Sequence, residues 1–346
     1  VRLGFEESLA LIEADLLLGI RAADGYPLCD ACVPNVGLVA TFSSVLGNEG
    51  QRDTWDEIMC RRIGDTWRSR NPTLVWLDDK VDQVRLTTEI CGRELHLPIY
   101  GDARRGDADA ERALRERVCQ SAARQEPVVV KPRHGANSRH VFLWPEPRQE
   151  DVLAMTDSVD QCLHSYDSTW DRECWQLSQV PKGALAQPLY AIGVPKRPEN
   201  GPRSRQAPLE LKVQVLFGEV VGGTLNTHPQ VLWVTRQGGV KMWALADLQA
   251  CGHTGCRNLD RHYGARPPDD AVETLRSVLQ EDWAMICGMS ERLTREAGLD
   301  ELRVDWLLGD PRWGSRIGEL TYMGAGSRLT PALSARLARA YAAAHL

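Results

Sequence analysis

The chain has 346 residues, of which 43% are hydrophobic, and its formal net charge at pH 7 is -6. That length allows two or three packed lobes with a substantial core. Acidic residues and arginines are interspersed and form no basic face, which excludes nucleic acid as the expected partner. The sequence has no run of about 18 apolar residues and no signal-peptide pattern, so we expect a cytoplasmic protein without membrane association. Because the sequence opens at Val1, we expect a trimmed chain or one domain of a longer product.

The first hundred residues predict a divergent, mainly helical region. Helical periodicity covers residues 5–20 and 53–67, with a segment rich in Gly, Pro and Cys between them. The apolar run 73–77 predicts a short strand, and the segment 80–92 predicts a helix. Residues 101–126, which are rich in charge and alanine, predict a linker that passes into a solvated helix.

From residue 127 onward, strands and helices are mixed. Helices are predicted at 150–165 and 269–297 and at the C-terminus, and the segment 194–207 is predicted to be a loop. Strands are predicted at 127–132, 140–144, 184–190, 210–217, 220–225, 302–308 and 315–322. Hairpins mixed with helices favour an α+β fold over a doubly wound parallel sheet.

Two acidic residues are candidates for a metal site. Asp305 and Glu319 lie on consecutive predicted strands, where alternate residues share a face, so Arg303 accompanies Asp305 and Thr321 accompanies Glu319. Carboxylates on neighbouring rigid strands suit one or two magnesium ions that also bind phosphate. Ordinary surface charges are the alternative. The small-residue loop 323–328, whose backbone amides can approach an anion, favours the metal site.

A second candidate lies where the apolar strand 128–130 ends. Lys131 follows this strand and precedes a loop of small and polar residues, which brings an ammonium group and backbone donors near one point. A solvated lysine is the alternative, and Arg133 in the same loop is also expected to be solvated. The Walker sequence is absent, which excludes a P-loop fold.

Together these segments resemble the ATP-grasp superfamily and, within it, the TupA-like branch associated with teichuronopeptide and polysaccharide biosynthesis. The likeness runs from about residue 71 to about residue 332. Four segments carry it: Leu77-Asp78-Asp79-Lys80 with Val84-Arg85; Val130-Lys131-Pro132-Arg133-His134-Gly135; Leu211-Lys212-Val213-Gln214-Val215-Leu216-Phe217-Gly218; and Arg303-Val304-Asp305 with Gly318-Glu319-Leu320-Thr321. The resemblance implies two α+β lobes that hold ATP between antiparallel sheets, and we divide the chain into 1–100 (N-terminal helical and substrate region), 101–190 (central lobe with the phosphate loop) and 191–346 (C-terminal lobe with the metal site).

The resemblance also implies roles for individual residues. Arg303 corresponds to the arginine that stabilises the acyl phosphate in D-alanine ligases, and Lys131 serves both catalysis and nucleotide binding. The implied metal ligands are Asp305, Glu319 and Thr321, the last in place of the usual Asn. The implied nucleotide contacts are Lys80, Lys131 and Lys212, the phosphate-loop residues His134, Gly135, Asn137 and Ser138, and the adenine-hinge residues Gln187, Pro188, Leu189 and Tyr190. Relatives usually carry Glu at the position of Gln187.

By this resemblance we expect a ligase that uses ATP and Mg2+, with Mn2+ as a substitute, to activate a carboxylate as an acyl phosphate and couple it to an amine. Its partners would be small-molecule substrates of a biosynthetic pathway, and a homodimer is left open. One alternative is a kinase that phosphorylates a sugar or another small molecule at the same site. Another is a non-catalytic nucleotide-binding module, because Gln187 and Thr321 depart from the family pattern.

The chain has ten cysteines, most of them in apolar surroundings, which favours buried reduced thiols. Two groupings have knuckle-like spacing, namely Cys29 with Cys32, and Cys251 with His253 and Cys256. A structural zinc ion bound there is the alternative.

Overall fold

The computed structural model describes residues 55–136, 139–165, 174–190, 193–195, 206–227, 230–238, 240–244, 269–322 and 341. The chain divides into two compact units. The first unit takes the described residues of 1–65, 192–309 and 321–346, and the second takes those of 66–191 and 310–320. Within the described part of the chain, no helix is both long and apolar enough to span a membrane.

The second unit is a small antiparallel sheet covered by helices. Its helices are α2 (Lys80–Cys91), α3 (Ala108–Ala123), α4 (Val152–His164) and α5 (Trp175–Gln179), with 3-10 turns at Pro72–Leu77 and Gln149–Asp151. Its strands are β1 (Gly101–Arg104), β2 (Val128–Pro132), β3 (Phe142–Trp144) and β4 (Gly183–Pro188), in the order β1-β4-β2-β3. Each neighbouring pair is antiparallel.

The core of the second unit lies between this sheet and helices α3 and α4. Leu114 and Val118 of α3 and Met155 of α4 are at most 1% exposed, and they pack with Val128 and Val130 of β2. Burial of apolar side chains of this size stabilises the folded state by about 1.5–3 kcal/mol each. The strand and the two helices are therefore held as one body.

Local capping explains where two short elements begin and end. Asp79 accepts hydrogen bonds from the first backbone amides of α2, and Gly92 ends that helix in the left-handed conformation with φ +68°. The apolar run 73–77 was predicted to be a strand, which is wrong, because the segment is a 3-10 helix. Asn71 caps it and Pro72 occupies its first turn, and this pairing favours a helical start over an extended chain.

The first unit contains a larger antiparallel sheet and a long helix. Its elements are the first part of α1 (Trp55–Ser69), β5 (Gly193–Pro195), β6 (Gln206–Leu216), β7 (Glu219–Thr227), β8 (Gln230–Thr235), β9 (Val240–Ala244), α6 (Asp269–Glu296) and β10 (Glu301–Leu308). Its strands follow the order β10-β6-β7-β8-β9, and β5 pairs with β6. The remaining strand, β11 (Arg316–Thr321), has only its last residue in this unit.

One face of strands β6 and β10 packs against helix α6. Leu211 and Val213 of β6 and Val304 and Trp306 of β10 are all fully buried. The indole nitrogen of Trp306 donates a hydrogen bond to Ser290 Oγ of α6 at 3.1 Å. Because side chains alternate along a strand, the residues between these apolar positions point to the opposite face.

A buried arginine joins helix α1 to the start of β10 in the first unit. Arg62 forms ion pairs with Asp300 and with Glu301, the latter at 3.3 Å. Its guanidinium carbon lies 5.1 Å from the ring centroid of Tyr322 and 5.1 Å from that of Tyr341. Both tyrosine hydroxyls donate to Asp300, at 3.2 and 2.6 Å. The helix is thus fixed to the sheet by charge and ring contacts together.

The predicted α+β class is confirmed by the mixture of helices with antiparallel sheets. Those predicted helices that fall within the described residues, and most predicted strands, lie within a few residues of the observed elements. Two strands fall in predicted loops: β1 lies in the supposed linker, and β5 lies at the edge of the segment 194–207. The predicted helix at 5–20 lies outside the described residues, and only residue 341 of the predicted C-terminal helix is described. The three-region division of the chain stays a prediction.

Candidate functional site

The first unit carries a row of charged side chains on one face of β6 and β10. Glu210 and Lys212 are two residues apart on β6, and Arg303 and Asp305 are two residues apart on β10, so each pair shares a face. In the antiparallel register Lys212 lies directly opposite Asp305. Three residues of this row, Lys212, Arg303 and Asp305, were predicted from sequence, and the structure brings them together.

Asp305 is the centre of this charged cluster, and its side chain is 1% exposed. Arg303 contacts both carboxylate oxygens, with Nε 2.8 Å from Oδ1 and Nη2 3.0 Å from Oδ2. Lys212 Nζ lies 2.6 Å from Asp305 Oδ2 and 3.0 Å from Glu210 Oε2. Arg303 Nη2 also donates to the hydroxyl of Thr321 at 3.0 Å. Two cations, two acids and one hydroxyl therefore form a continuous network.

The network changes the ionisation of its members. Burial would raise the pKa of Asp305, but the charges and hydrogen bonds of Arg303 and Lys212 outweigh burial and hold its pKa below the ordinary value. Burial opposes the charge of Lys212, yet the neighbouring acids raise its pKa overall. Burial raises the pKa of Glu210, and the charge of Asp305 adds to this effect although Lys212 opposes it. At neutral pH the centre is therefore a carboxylate held by two cations.

In the second unit, Lys80 lies beside a predicted metal ligand. Its Nζ is 3.2 Å from Glu319 Oε1, and it donates a hydrogen bond to the backbone carbonyl of Gly135. The Lys80 side chain is 12% exposed, whereas that of Glu319 is 37% exposed. The structure thus brings together three residues that the sequence assigned separately to the nucleotide and metal sites.

The beginning of the predicted phosphate loop is held by ring hydrogen bonds of His134. The backbone N–H of Gly183 donates to His134 Nδ1 at 3.2 Å, so Nε2 carries the proton and donates to the Ser165 carbonyl at 3.2 Å. Burial lowers the pKa of His134, and positively charged lysines nearby act in the same direction. Its neutral ring therefore has a structural role here. Asn137 and Ser138 lie outside the described residues.

Lys131 lies near a buried histidine that the sequence analysis missed. Lys131 is on β2 opposite Leu185 of β4 and is half-buried. His96 is 5% exposed, and its Nε2 is 3.2 Å from Thr87 Oγ1. Burial, together with the charge of Lys131, lowers the pKa of His96 to about 3. A single histidine between leucines matches no motif, so only tertiary structure reveals it.

Residues of the predicted adenine hinge make specific contacts within the second unit. The side-chain amide of Gln187 donates to the Leu97 carbonyl at 2.9 Å, and the Leu189 backbone N–H donates to the Pro127 carbonyl at 3.1 Å. Tyr190 is 4% exposed, and its hydroxyl donates to a backbone carbonyl, that of Gly314, at 2.8 Å. Pro188, which has no N–H, ends strand β4. The roles of these four residues toward adenine stay predictions.

Arg133 was expected to be solvated, and this expectation is wrong. The residue is 3% exposed and donates two hydrogen bonds to Asp79 Oδ2, from Nε at 2.9 Å and from Nη2 at 2.6 Å. Asp79 is 1% exposed. A buried guanidinium requires such a partner, because an unpaired charge in the protein interior is strongly unfavourable.

The predicted three-ligand metal set stays a prediction. Asp305 and Thr321 belong to the first unit and Glu319 to the second. The described residues contain no group of three or more His, Cys, Asp or Glu side chains arranged to hold a metal ion. The candidate zinc residues, Cys251, His253 and Cys256 together with Cys29 and Cys32, lie outside the described part of the chain. Within the described part of the chain, Cys91, Cys119, Cys162, Cys174 and Cys287 form no disulfide bond.

No protein-family model and no curated protein sequence matches this chain. Solved structures are similar to it at low identity. D-cycloserine synthetase DcsG shares 16% identity over 91% of this chain and 96% of its own, with a TM-score of 0.42. The ATP-grasp ligase PsnB shares 13% over 80% of this chain and 61% of its own, with a TM-score of 0.32. D-alanyl-alanine synthetase A from Vibrio cholerae shares 10% over 77% of this chain and 64% of its own, with a TM-score of 0.37. The chain thus spans less than two thirds of the last two proteins.

Proposed function

We propose that this chain is an ATP- and magnesium-dependent ligase of the ATP-grasp type, closest to the TupA-like branch, which activates a carboxylate as an acyl phosphate and couples it to an amine. The observation that carries the proposal is Asp305, a fully buried carboxylate held between Arg303 and Lys212 and connected through Arg303 to the Thr321 hydroxyl. A rigid strand pair that offers a buried anion and two cations on one face suits a metal–phosphate group.

The donor atoms fit magnesium and not a soft metal. Asp305 and Thr321 offer a carboxylate and a hydroxyl, which are oxygen ligands of the kind that hard cations prefer. Both Asp305 oxygens are hydrogen-bonded to Arg303 or Lys212. A cation at Asp305 would replace part of these bonds, and the released guanidinium or ammonium group could then pair with phosphate oxygens. We assign Asp305, Glu319 and Thr321 to hold magnesium.

The remaining residues would position the nucleotide and offset its charge. Lys80, Lys131 and Lys212 supply ammonium groups for the phosphates, and Arg303 supplies a planar donor pair for the charge that develops during acyl transfer. Magnesium, when bound, would neutralise phosphate charge during transfer of the terminal phosphoryl group. The substrate carboxylate attacks the terminal phosphorus of ATP, and ADP leaves. The acceptor amine then attacks the acyl phosphate, an amide bond forms, and inorganic phosphate and the amine proton are released. No side-chain nucleophile is required.

The test measures ADP release by purified protein with magnesium, ATP and a panel of carboxylates and amines, with product masses determined for each pair. We expect an amide product, and we expect Asp305→Asn to lower the rate about a hundredfold or more. Arg115→Met, which removes an ion pair with Asp160 in the second unit, serves as the control with an unchanged rate.

Each other outcome has a definite meaning. A phosphoester product identifies a kinase. Nucleotide binding without turnover for any pair identifies a binding module. A protein that binds neither ATP nor its non-hydrolysable analogue in the presence of magnesium contradicts the proposed nucleotide site itself.

A further inference from the structure

The carboxylate of Asp79 serves two different parts of the second unit at once. Its Oδ1 accepts hydrogen bonds from the backbone N–H groups of Val81, at 3.0 Å, and Asp82, at 3.3 Å, and thereby caps helix α2. Its Oδ2 accepts hydrogen bonds from Nε and Nη2 of Arg133, at 2.9 and 2.6 Å. The helix start and the residue that follows strand β2 are therefore tied through one buried carboxylate.

Lys80 lies between these two tied segments. It is the first residue of α2, directly after Asp79, and its backbone N–H donates to the Arg133 carbonyl at 3.3 Å. Its Nζ donates to the Gly135 carbonyl and lies 3.2 Å from Glu319. The position of the Lys80 ammonium group therefore depends on where the segment 133–135 lies relative to α2.

The segment 133–135 is held on its other side as well. The Arg133 backbone N–H donates to the Gly183 carbonyl at 2.9 Å, and the ring of His134 connects Gly183 to Ser165. These bonds hold the segment against β4, and the ion pair to Asp79 holds it against α2. The segment is thus a fixed platform for Lys80.

Besides that of Asp79, two further carboxylates lie near the guanidinium of Arg133. Asp102 Oδ2 lies 3.5 Å from its Nη1, and Asp82 Oδ2 lies 3.9 Å from its Nη2. Of these three described carboxylates, only Asp79 makes two short hydrogen bonds to the guanidinium, and its side chain is the most deeply buried of the three. Buried ion pairs often add little net stability compared with well-packed apolar side chains, so geometric control is the better account of this pair.

We propose that Asp79 and Arg133 form a positioning pair that fixes Lys80 and the segment 133–135 for the phosphate end of the nucleotide, an inference that rests on the proposed function. Neither residue needs to touch the nucleotide. Both act through Lys80, whose ammonium group must be correctly placed to neutralise phosphate charge.

The experiment compares Asp79→Asn, Arg133→Met and the double variant with the wild-type chain. Asparagine keeps the helix cap but loses the charge that binds Arg133. Each single variant takes from one buried charged group its most closely bound partner and lowers the melting temperature, whereas the double variant removes both charges and regains much of the loss. Arg115→Met is the matched control, because the ion pair that it removes, between Arg115 of α3 and Asp160 of α4, lies in the same unit.

The dissociation constant of a non-hydrolysable ATP analogue with magnesium is measured by calorimetry, and amide hydrogen exchange of the segment 133–135 is measured without nucleotide. We expect the double variant to bind about tenfold more weakly, or worse, and to exchange faster in this segment, despite its recovered melting temperature. A merely structural role predicts that affinity and exchange recover together with melting temperature, and that result overturns the positioning pair. Wild-type protein that binds no nucleotide overturns the proposed function and this inference with it.

Discussion

The charged cluster around Asp305 makes a quantitative prediction about non-additive stability. Replacing either Arg303 or Lys212 with Met removes strong hydrogen bonds to a buried carboxylate but leaves the other cation in place. We expect each single variant to lower the free energy of unfolding by about 2 kcal/mol, the usual range for hydrogen bonds to charged groups. The double variant leaves Asp305, at 1% side-chain exposure, without either cation. Its loss should exceed the sum of the single losses, by about 1 kcal/mol or more.

Urea unfolding followed by far-UV circular dichroism measures these free energies, and the slope with urea should stay constant across the series. Adding Asp305→Asn to the double variant removes the uncompensated charge, and we expect it to recover about 3 kcal/mol. Strict additivity within about 0.5 kcal/mol would refute the reasoning, because independent sites add to that accuracy. A triple variant no more stable than the double variant would do the same.

Three further substitutions test other parts of the second unit. Gln176 is fully buried, and neither atom of its side-chain amide has a hydrogen-bond partner among the residues that the structure describes. Gln176→Leu should therefore raise the free energy of unfolding by about 1–3 kcal/mol in thermal or urea melts, and destabilisation would show that the amide has a partner. Gly183→Ala would press a methyl group against the backbone carbonyl of Ala103, so it should lower the free energy of unfolding by about 1–3 kcal/mol. The same melts measure this loss, and an unchanged midpoint would contradict the packing. His96 has a pKa of about 3 when folded, beside Lys131. Below about pH 6.5 the unfolded chain therefore binds a proton at His96 that the folded chain does not bind. The free energy of unfolding should fall as the pH decreases from there toward 3. In thermal melts at a series of pH values, His96→Gln should make this dependence on pH less steep.

The sequence predicted elements best where local pattern and packing agree. Helix α2 was predicted within one residue of its observed end, because Asp79 and Gly92 mark its limits chemically. Strand β1 could not be predicted, since Gly101-Asp102-Ala103-Arg104 has no apolar alternation and becomes a strand only by pairing with β4. Strands β8 and β9 lie outside every segment that was predicted to be a strand.

The charged residues show the same division between local and tertiary information. Alternation along the strands was sufficient to place Arg303 beside Asp305, whereas a role for Lys212 was implied only by the family resemblance. The contact between Lys80 and Glu319 joins residues far apart in sequence and needed the fold. Arg133 was misjudged because its burial is produced by Asp79 and by the elements packed around it, and the loop sequence alone does not contain that information.

The alternation of charged and apolar positions on β6 and β10 bears on how this region can change during evolution. Point substitutions on the charged face can change the charges and hydrogen bonds of the site, while Trp306 and the neighbouring apolar residues stay packed against α6. A one-residue insertion or deletion within either strand would instead exchange the two sides, driving Lys212 or Asp305 into the helix interface and exposing the aromatic anchor. Length variation here should therefore be tolerated only in steps of two residues or in the connecting turns.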